Sequence, residues 1–258
     1  MTELTVDEAA ASYASAMRNV LPAGVFVTCG ICRTFIDPIY TVCLKCDQQP
    51  NELDAVVPIS FSEHLGQLHL ALRRYKDGLP QERNYAMPRL AGILWKFLDI
   101  HESCVAAAAN VATFDLVTTV PSSTPENDER RSNLRTIVSW CRPVAPRYER
   151  VLIATGDGVE GRAYDRRRYR ATTVLDGADV LLLDDTWTTG GHAQSSAAAL
   201  RAAGARTVAL VVIGRHLRRE WQVVMGGPTC GELFDELPTE YDWAMCPVHS
   251  NRARPPDR

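Results

Sequence analysis

The chain has 258 residues, 46% of them hydrophobic and 23% charged, a balance that supports a packed core and excludes a disordered or fibrous chain. Its 28 basic against 31 acidic side chains leave a net charge of −3, so no global basic field advertises nucleic acid. The first dozen residues carry acids where a secretory signal needs positive charge, and no apolar run approaches the length of a membrane span; a cytoplasmic location is expected.

Thr5 and Glu8 have the spacing of a capping box, and Ala10, Tyr13, Met17 and Val20 recur at helical intervals. These predict an amphipathic helix that ends before Pro22, within an opening segment 1–24. From Val25 to about Leu53 the periodicity fails and cysteine, glycine and proline take over, in a module placed at 25–57. Ser60 and Glu63 repeat the capping-box spacing, and Phe61, Leu65, Leu68, Leu72 and Tyr75 then mark one face of a helix reaching Gly78. A second helix is predicted after Pro88, on Leu90, Ile93, Leu94, Phe97 and Leu98.

Beyond Asn110 the pattern changes. Strands are expected at Phe114–Val120, Val151–Thr155, Ala171–Leu175, Val180–Leu183 and Val208–Ile213, with helices at Ser132–Cys141 and through the alanine-rich stretch up to Gly204. Short apolar strands alternating with helices imply an α/β fold with a parallel sheet covered on both faces, here 58–228. A tail, 229–258, follows; Arg252, Arg254, Pro255 and Pro256 suggest a frayed end.

Val180–His192 is the most informative segment. An apolar strand delivers Asp184 and Asp185 to the carboxyl edge of the sheet, where open α/β proteins bind ligands. Thr188, Thr189, Gly190 and Gly191 then form a small turn before a helix, able to offer backbone N–H groups and hydroxyls to a phosphate at the positive end of the helix dipole. The two carboxylates repel phosphate and suit ribose hydroxyls or magnesium instead. A phosphate, vicinal hydroxyls and a metal-bound diphosphate occur together in 5-phosphoribosyl 1-pyrophosphate. The plainer alternative is a capped strand-to-helix turn with no ligand.

Cys29-Gly-Ile-Cys32 and Cys43-Leu-Lys-Cys46 are two CxxC pairs ten residues apart. Together they fill the four positions of one tetrahedral zinc ion and leave none open, which describes a structural site. Four cysteines also suit an iron–sulfur cluster.

At Asp184–His192 the sequence resembles the signature of type I phosphoribosyltransferases: an apolar strand, two acids, two variable residues and a Thr-Thr-Gly loop. With the cysteine knuckle ahead of it, the whole chain resembles the ComF family. Leu72–Gly78 resembles that family's Lys-Tyr helix end, Thr119–Ser123 its Val-Pro strand end with the pyrophosphate loop, and Arg131-Ser-Asn133, weakly, a shorter form of its Arg-Gly-Phe-Asn stretch. The resemblance implies a type I phosphoribosyltransferase-like (Rossmann-like) sheet behind a small N-terminal zinc ribbon. It implies that Asp184 and Asp185 hold the ribose hydroxyls and serve catalysis, that Thr188, Thr189, Gly190, Gly191 and His192 wrap the 5-phosphate, and that Pro121 and Ser122 belong to the same donor site. His192 departs from the family, which closes this loop with a hydroxyl residue; it binds phosphate as a donor or as a cation.

Five arginines lie between Arg162 and Arg170, with Asp165 as the single acid among them. In position they resemble the family's flexible catalytic loop, which neutralises departing diphosphate; the alternatives are a solvated surface loop or a nucleic-acid contact. Gly156-Asp-Gly158-Val-Glu-Gly161 has the spacing of a dinucleotide fingerprint, but the stretch after it makes a poor helix. Cys230, Cys246 and His249 form an incomplete pattern, read as incidental or as a second metal site. Cys104 and Cys141 read as helix packing residues, Trp187 as a shield for the ribose or a core residue, and Arg215, His216, Arg218 and Arg219 as pocket-lining or solvent-facing groups.

The implied function is transfer of the phosphoribosyl group, with magnesium, to or from a nitrogenous base or amine, in nucleotide metabolism. The alternative is a non-catalytic sensor of the same donor, or a nucleic-acid-handling module of the DNA-uptake type. The acceptor is not legible, no membrane partner is expected, and exposed faces of the helices before the sheet suit a homodimer.

Overall fold

The computed structural model describes residues 4–21, 27–157 and 161–248. The capping box at Thr5 and Glu8 forms, and α1 spans Val6–Ala11 before a turn of 3₁₀ helix at Ala14–Ala16. The helix is shorter than its apolar spacing suggests, yet Tyr13, Met17 and Val20 are all buried. A four-residue helix, α2 (Leu44–Asp47), closes the cysteine module.

The stretch expected to start a helix at Ser60 is a strand. β1 runs Ala55–Glu63 and pairs in parallel with β6 (Thr207–Leu217); helix α3 begins at Gln67 and ends at Asp77. The reason is tertiary, since Val56–Ser62 is buried without a break as one edge of the sheet, and a ladder of parallel pairs outcompetes a local cap. The module boundary drawn at 57/58 therefore falls inside β1. Helix α4, Pro80–Ala108, begins well before Pro88 and carries it in its interior. Pro80 supplies a first-turn proline, and twelve buried residues anchor the helix against α1, its neighbouring helices and the sheet.

β2 (Leu116–Thr119), α5 (Pro125–Arg130) and α6 (Asn133–Trp140) follow. β3 (Leu152–Ala154) and β4 (Tyr169–Ala171) form an antiparallel pair outside the main sheet, so the strand expected at Ala171–Leu175 is displaced toward Tyr169. No helix follows Gly161, which removes the dinucleotide reading. β5 (Asp179–Trp187), α7 (Gly191–Ala202) and β6 complete the parallel sheet, ordered β1-β6-β5-β2.

Period-2 alternation along β5 and β6 builds two cores. Leu181, Leu183, Ala209, Val211 and Ile213 face α3, α4 and α6, whereas Val180, Leu182, Val208, Leu210 and Val212 face α7, the β3–β4 hairpin and the cysteine module. The chain is thus a mixed α/β protein with a parallel sheet flanked by helices. A third, smaller cluster joins Phe35, Phe61 and Phe234 of α8 (Cys230–Asp235), so the tail is packed at least through this helix. Among the described residues no helix is long and apolar enough to cross a membrane.

Candidate functional site

A cavity of about 560 Å³ opens at the carboxyl ends of β2, β5 and β6. Its wall includes Pro121 and Ser122 after β2, Asp184 and Asp185 on β5, and Thr188, Thr189, Gly190, Gly191 and His192 between β5 and α7. The nine residues that the resemblance assigns to the donor site all share this wall. It also includes Tyr75 and Lys76 at the end of α3, and Arg162.

The acid pair divides. Consecutive strand residues point to opposite faces, and Asp185 is 2% exposed while Asp184 is partly open. Asp185 accepts a 2.5 Å hydrogen bond from the Tyr75 hydroxyl and forms an ion pair with Lys76. Asp184 accepts the Asp185 backbone N–H at 2.8 Å. Asp185 thus already has a cation and a phenol, while both carboxylates stay on the cavity wall and Asp184 is the more open of the two.

Burial, with the neighbouring Asp185 charge, pushes the Asp184 carboxyl up to about 8, against the opposing pull of Lys76. Burial and Asp185 raise the Tyr75 phenol, so it remains a donor. Burial alone would lower Lys76, but Asp185 and Asp184 outweigh it and hold the ammonium above its usual range. An acid kept protonated by desolvation is poised to release its proton when a cation or hydrogen-bond donor arrives.

Two glycines are dictated by space as well as conformation. Gly190 has φ +87°, and a Cβ there would lie 2.3 Å from the Trp187 ring; a Cβ on Gly191 would lie 2.1 Å from the Arg162 carbonyl oxygen. The loop is pinned by Thr189, whose hydroxyl donates to the Arg162 carbonyl at 3.0 Å, and by Gln49, which donates to the Thr189 carbonyl at 2.6 Å. Trp187 is 2% exposed and forms the buried floor beneath the loop.

His192 is not a cation here. Burial first, then the charges of Arg168 and Arg162, lower it to about 4, and its Nδ1 shares a 2.6 Å hydrogen bond with the Tyr169 hydroxyl. Of the arginine run, Arg162 lines the cavity. Arg166 faces Glu52 at 3.6 Å, Arg167 pairs with Asp165 at 3.3 Å, and buried Arg168 donates to the Ala163 carbonyl at 3.1 Å.

Arg131 and Asn133 fasten the wall to α3. Arg131 forks onto Asp77 at 2.9 and 2.8 Å, and Asn133 donates to the Tyr75 carbonyl at 2.5 Å. Periodicity placed Tyr75 on a helix face but did not bring it or Lys76 to the site; the likeness of Leu72–Gly78 to a family segment was the available pointer. The far end of the cavity holds His64, His69 and His216, with Arg73 and Arg218.

The four cysteines converge. The Sγ atoms of Cys29, Cys32, Cys43 and Cys46 all lie within 4.8 Å of one another, with Cys32 and Cys43 at 3.7 Å. Zinc–sulfur bonds of about 2.3 Å in a tetrahedron require sulfurs about 3.8 Å apart, so the donors fit a tetrahedral ion. Backbone N–H groups of Cys32 and Cys43 point at the Cys29 sulfur. Hydrogen bonds among the four crowded sulfurs hold the Cys29 and Cys32 thiols below their usual range and the Cys43 and Cys46 thiols above it. Zinc bound here would supply a crosslink and no open coordination position.

The second group suggested from sequence is rearranged. Cys246 meets His101 and Cys104, not Cys230, which lies in the Phe61–Phe234 cluster; His249 falls outside the described residues. The His101 ring bonds the Trp243 carbonyl at 2.8 Å. Cys141 is buried at the end of α6, a packing residue as expected.

No family model matches the chain, and no curated protein does. One solved structure that it resembles is described as the allosteric regulatory enzyme of purine biosynthesis. It shares 20% identity at a TM-score of 0.28, over 46% of this chain and 26% of that one. The chain thus spans about a quarter of that protein's length, an overlap too slight to bear on fold or function. The chain is an α/β protein with a cavity at the carboxyl edge of its parallel sheet and a four-cysteine cluster beside it.

Proposed function

We propose that the chain is a phosphoribosyltransferase-like protein of the ComF type that binds 5-phosphoribosyl 1-pyrophosphate with magnesium. The observation that carries this reading is the convergence of residues 121–122 with 184–185 and 188–192, chosen from sequence in two separate segments, on one cavity wall. The first turn of α7 offers backbone N–H groups to the 5-phosphate. Asp184 faces the ribose hydroxyls or the metal, since magnesium favours one or two carboxylates together with substrate phosphates. Asp185 is a positioning residue that holds Lys76 at the cavity edge, where its ammonium meets diphosphate alongside Arg162. The transferase chemistry is displacement of diphosphate from C1 of the donor by a nitrogen nucleophile, or its reverse. Catalysis then rests on orientation and on cations placed against the leaving group.

Calorimetry with the donor and magnesium tests this. The wild type is expected to bind, Asp184→Asn at least about tenfold more weakly, and Gly191→Ala not measurably because its methyl collides with the Arg162 backbone. Absence of binding by the wild type, or equal binding by all three proteins, overturns the reading. Release of diphosphate with a panel of bases then separates an enzyme from a sensor. A nucleic-acid role is weakened by the arginine run itself, because Arg166 and Arg167 already face carboxylates.

A further inference from the structure

The cysteine cluster and the Thr188–His192 loop are joined by side chains whose placement neither site explains alone. Arg215 on β6 is 3% exposed and sits opposite Trp187 of β5 in the sheet register. Its Nε donates to the Cys32 carbonyl at 3.0 Å, and Nη2 lies 3.4 Å from the Cys32 sulfur. Nη1 donates to the Trp187 and Thr188 carbonyls at 3.3 and 3.5 Å and to the His216 carbonyl at 2.5 Å. One guanidinium therefore holds a cysteine ligand and the two carbonyls that open the loop. A buried cation persists where its charge is matched and its donors are satisfied, and the charge it meets is the sulfur of the cluster. The flat, multi-donor fork of arginine reaches both partners at once; a lysine ammonium does not.

A second connection runs along the chain just after Cys46. Gln49 donates to the Thr189 carbonyl at 2.6 Å, and the Glu52 backbone N–H donates to the side chain of buried Gln194 in α7 at 2.7 Å. Gln194 in turn donates to the Asn51 side chain at 3.2 Å. The loop is held from below by Arg215 and from outside by the segment that leaves the cluster.

We propose that the metal-bound cysteine cluster sets the conformation of the Thr188–His192 loop through Arg215 and Gln49, which makes Arg215 a positioning residue and couples metal occupancy to the anion-binding end of the cavity. The consequence for donor affinity rests on the phosphoribosyl reading; the coupling itself does not. Loss of the ion removes the crosslink that keeps Cys32 beneath the sheet edge, and Arg215 then loses the anchor that aims it at Trp187 and Thr188.

Amide hydrogen exchange on the zinc-loaded full chain, with no other ligand present, is the test. Arg215→Lys is expected to raise exchange across residues 187–193 by tenfold or more while zinc content and protection of α4 stay at the wild-type level. Gln49→Ala, at a half-buried surface position, is expected to raise exchange at 188–191 about threefold. Stripping zinc from the wild type with a chelator should accelerate residues 29–46 and 187–193 together. Loop exchange within twofold of the wild type in both variants overturns the proposal, as does a loop unmoved by chelation that opens 29–46. Should Arg215→Lys lose α4 protection as well, the Gln49→Ala result decides. Because no donor is present, a wild type that fails to bind 5-phosphoribosyl 1-pyrophosphate while its loop responds to zinc sinks the functional reading and supports the coupling.

Discussion

The cysteine module and the parallel sheet behind it are held by different physics. In the sheet, every residue of Val180–Leu183 and Val208–Ile213 is fully buried, and layers of helix or hairpin cover both faces. Burial of each such side chain contributes roughly 1.5–3 kcal/mol, so its stability is spread over many contacts. Between Thr28 and Gln48 the buried apolar side chains are Cys29, Cys32, Cys46, Phe35 and Ile36, too few to offset chain entropy without a crosslink. Four sulfurs placed to share one ion offer the module that crosslink, whereas the sheet depends on no single residue. Arg215 matters because it crosses from one regime into the other.

Cys32→Ser should break that comparison most severely. It removes a metal ligand and the sulfur that faces buried Arg215, and leaving a buried charge unpaired costs about 3–5 kcal/mol before the loss of metal is counted. Metal content and chemical denaturation report it, and a variant that retains stoichiometric zinc at wild-type stability counts against a closed four-cysteine site. Leu182→Ala in β5 is expected to cost about 3 kcal/mol by leaving a cavity in the core beside α7, with zinc content unchanged. A linked loss of zinc would show that module and sheet are a single cooperative unit.

Asp184→Asn sharpens the contrast through pH. The folded carboxyl titrates at about 8 against an ordinary value of 3.8. Between those values the folded protein keeps a proton that the unfolded chain has released, so stability falls as pH rises through that window. The asparagine variant should therefore gain on the order of 1–3 kcal/mol near pH 8 and nothing near pH 3.5. Parallel stability–pH curves for the two proteins would refute the assignment. The smallest effect belongs to Arg166→Ala: its side chain is exposed and faces Glu52 at 3.6 Å, so thermal unfolding should move by less than about 1 °C.

Legibility followed the range of the determining contacts. The capping box at Thr5, the two CxxC pairs and the apolar run before Asp184 are local patterns, and each sits in the context its spacing implied. Ser60–Glu63 has the same local signature as Thr5–Glu8, yet one is a strand and the other a helix start. The difference lies in the register with β6, more than a hundred residues away. Lys76 and Tyr75 reach the site for the same reason, since their contact with Asp185 is set by how α3 packs on the sheet.

By itself the sequence determined where apolar strands and small-residue turns lie, which cysteines can share an ion, and which short segments carry carboxylates and hydroxyls, because these follow from residue type and near-neighbour spacing. Tertiary structure decided that Asp184 and Asp185 have different partners, that His192 is bonded to Tyr169, and that Arg215 is buried between cluster and loop. Those outcomes depend on desolvation and on partners brought together by folding, and neither quantity exists until distant parts of the chain have met.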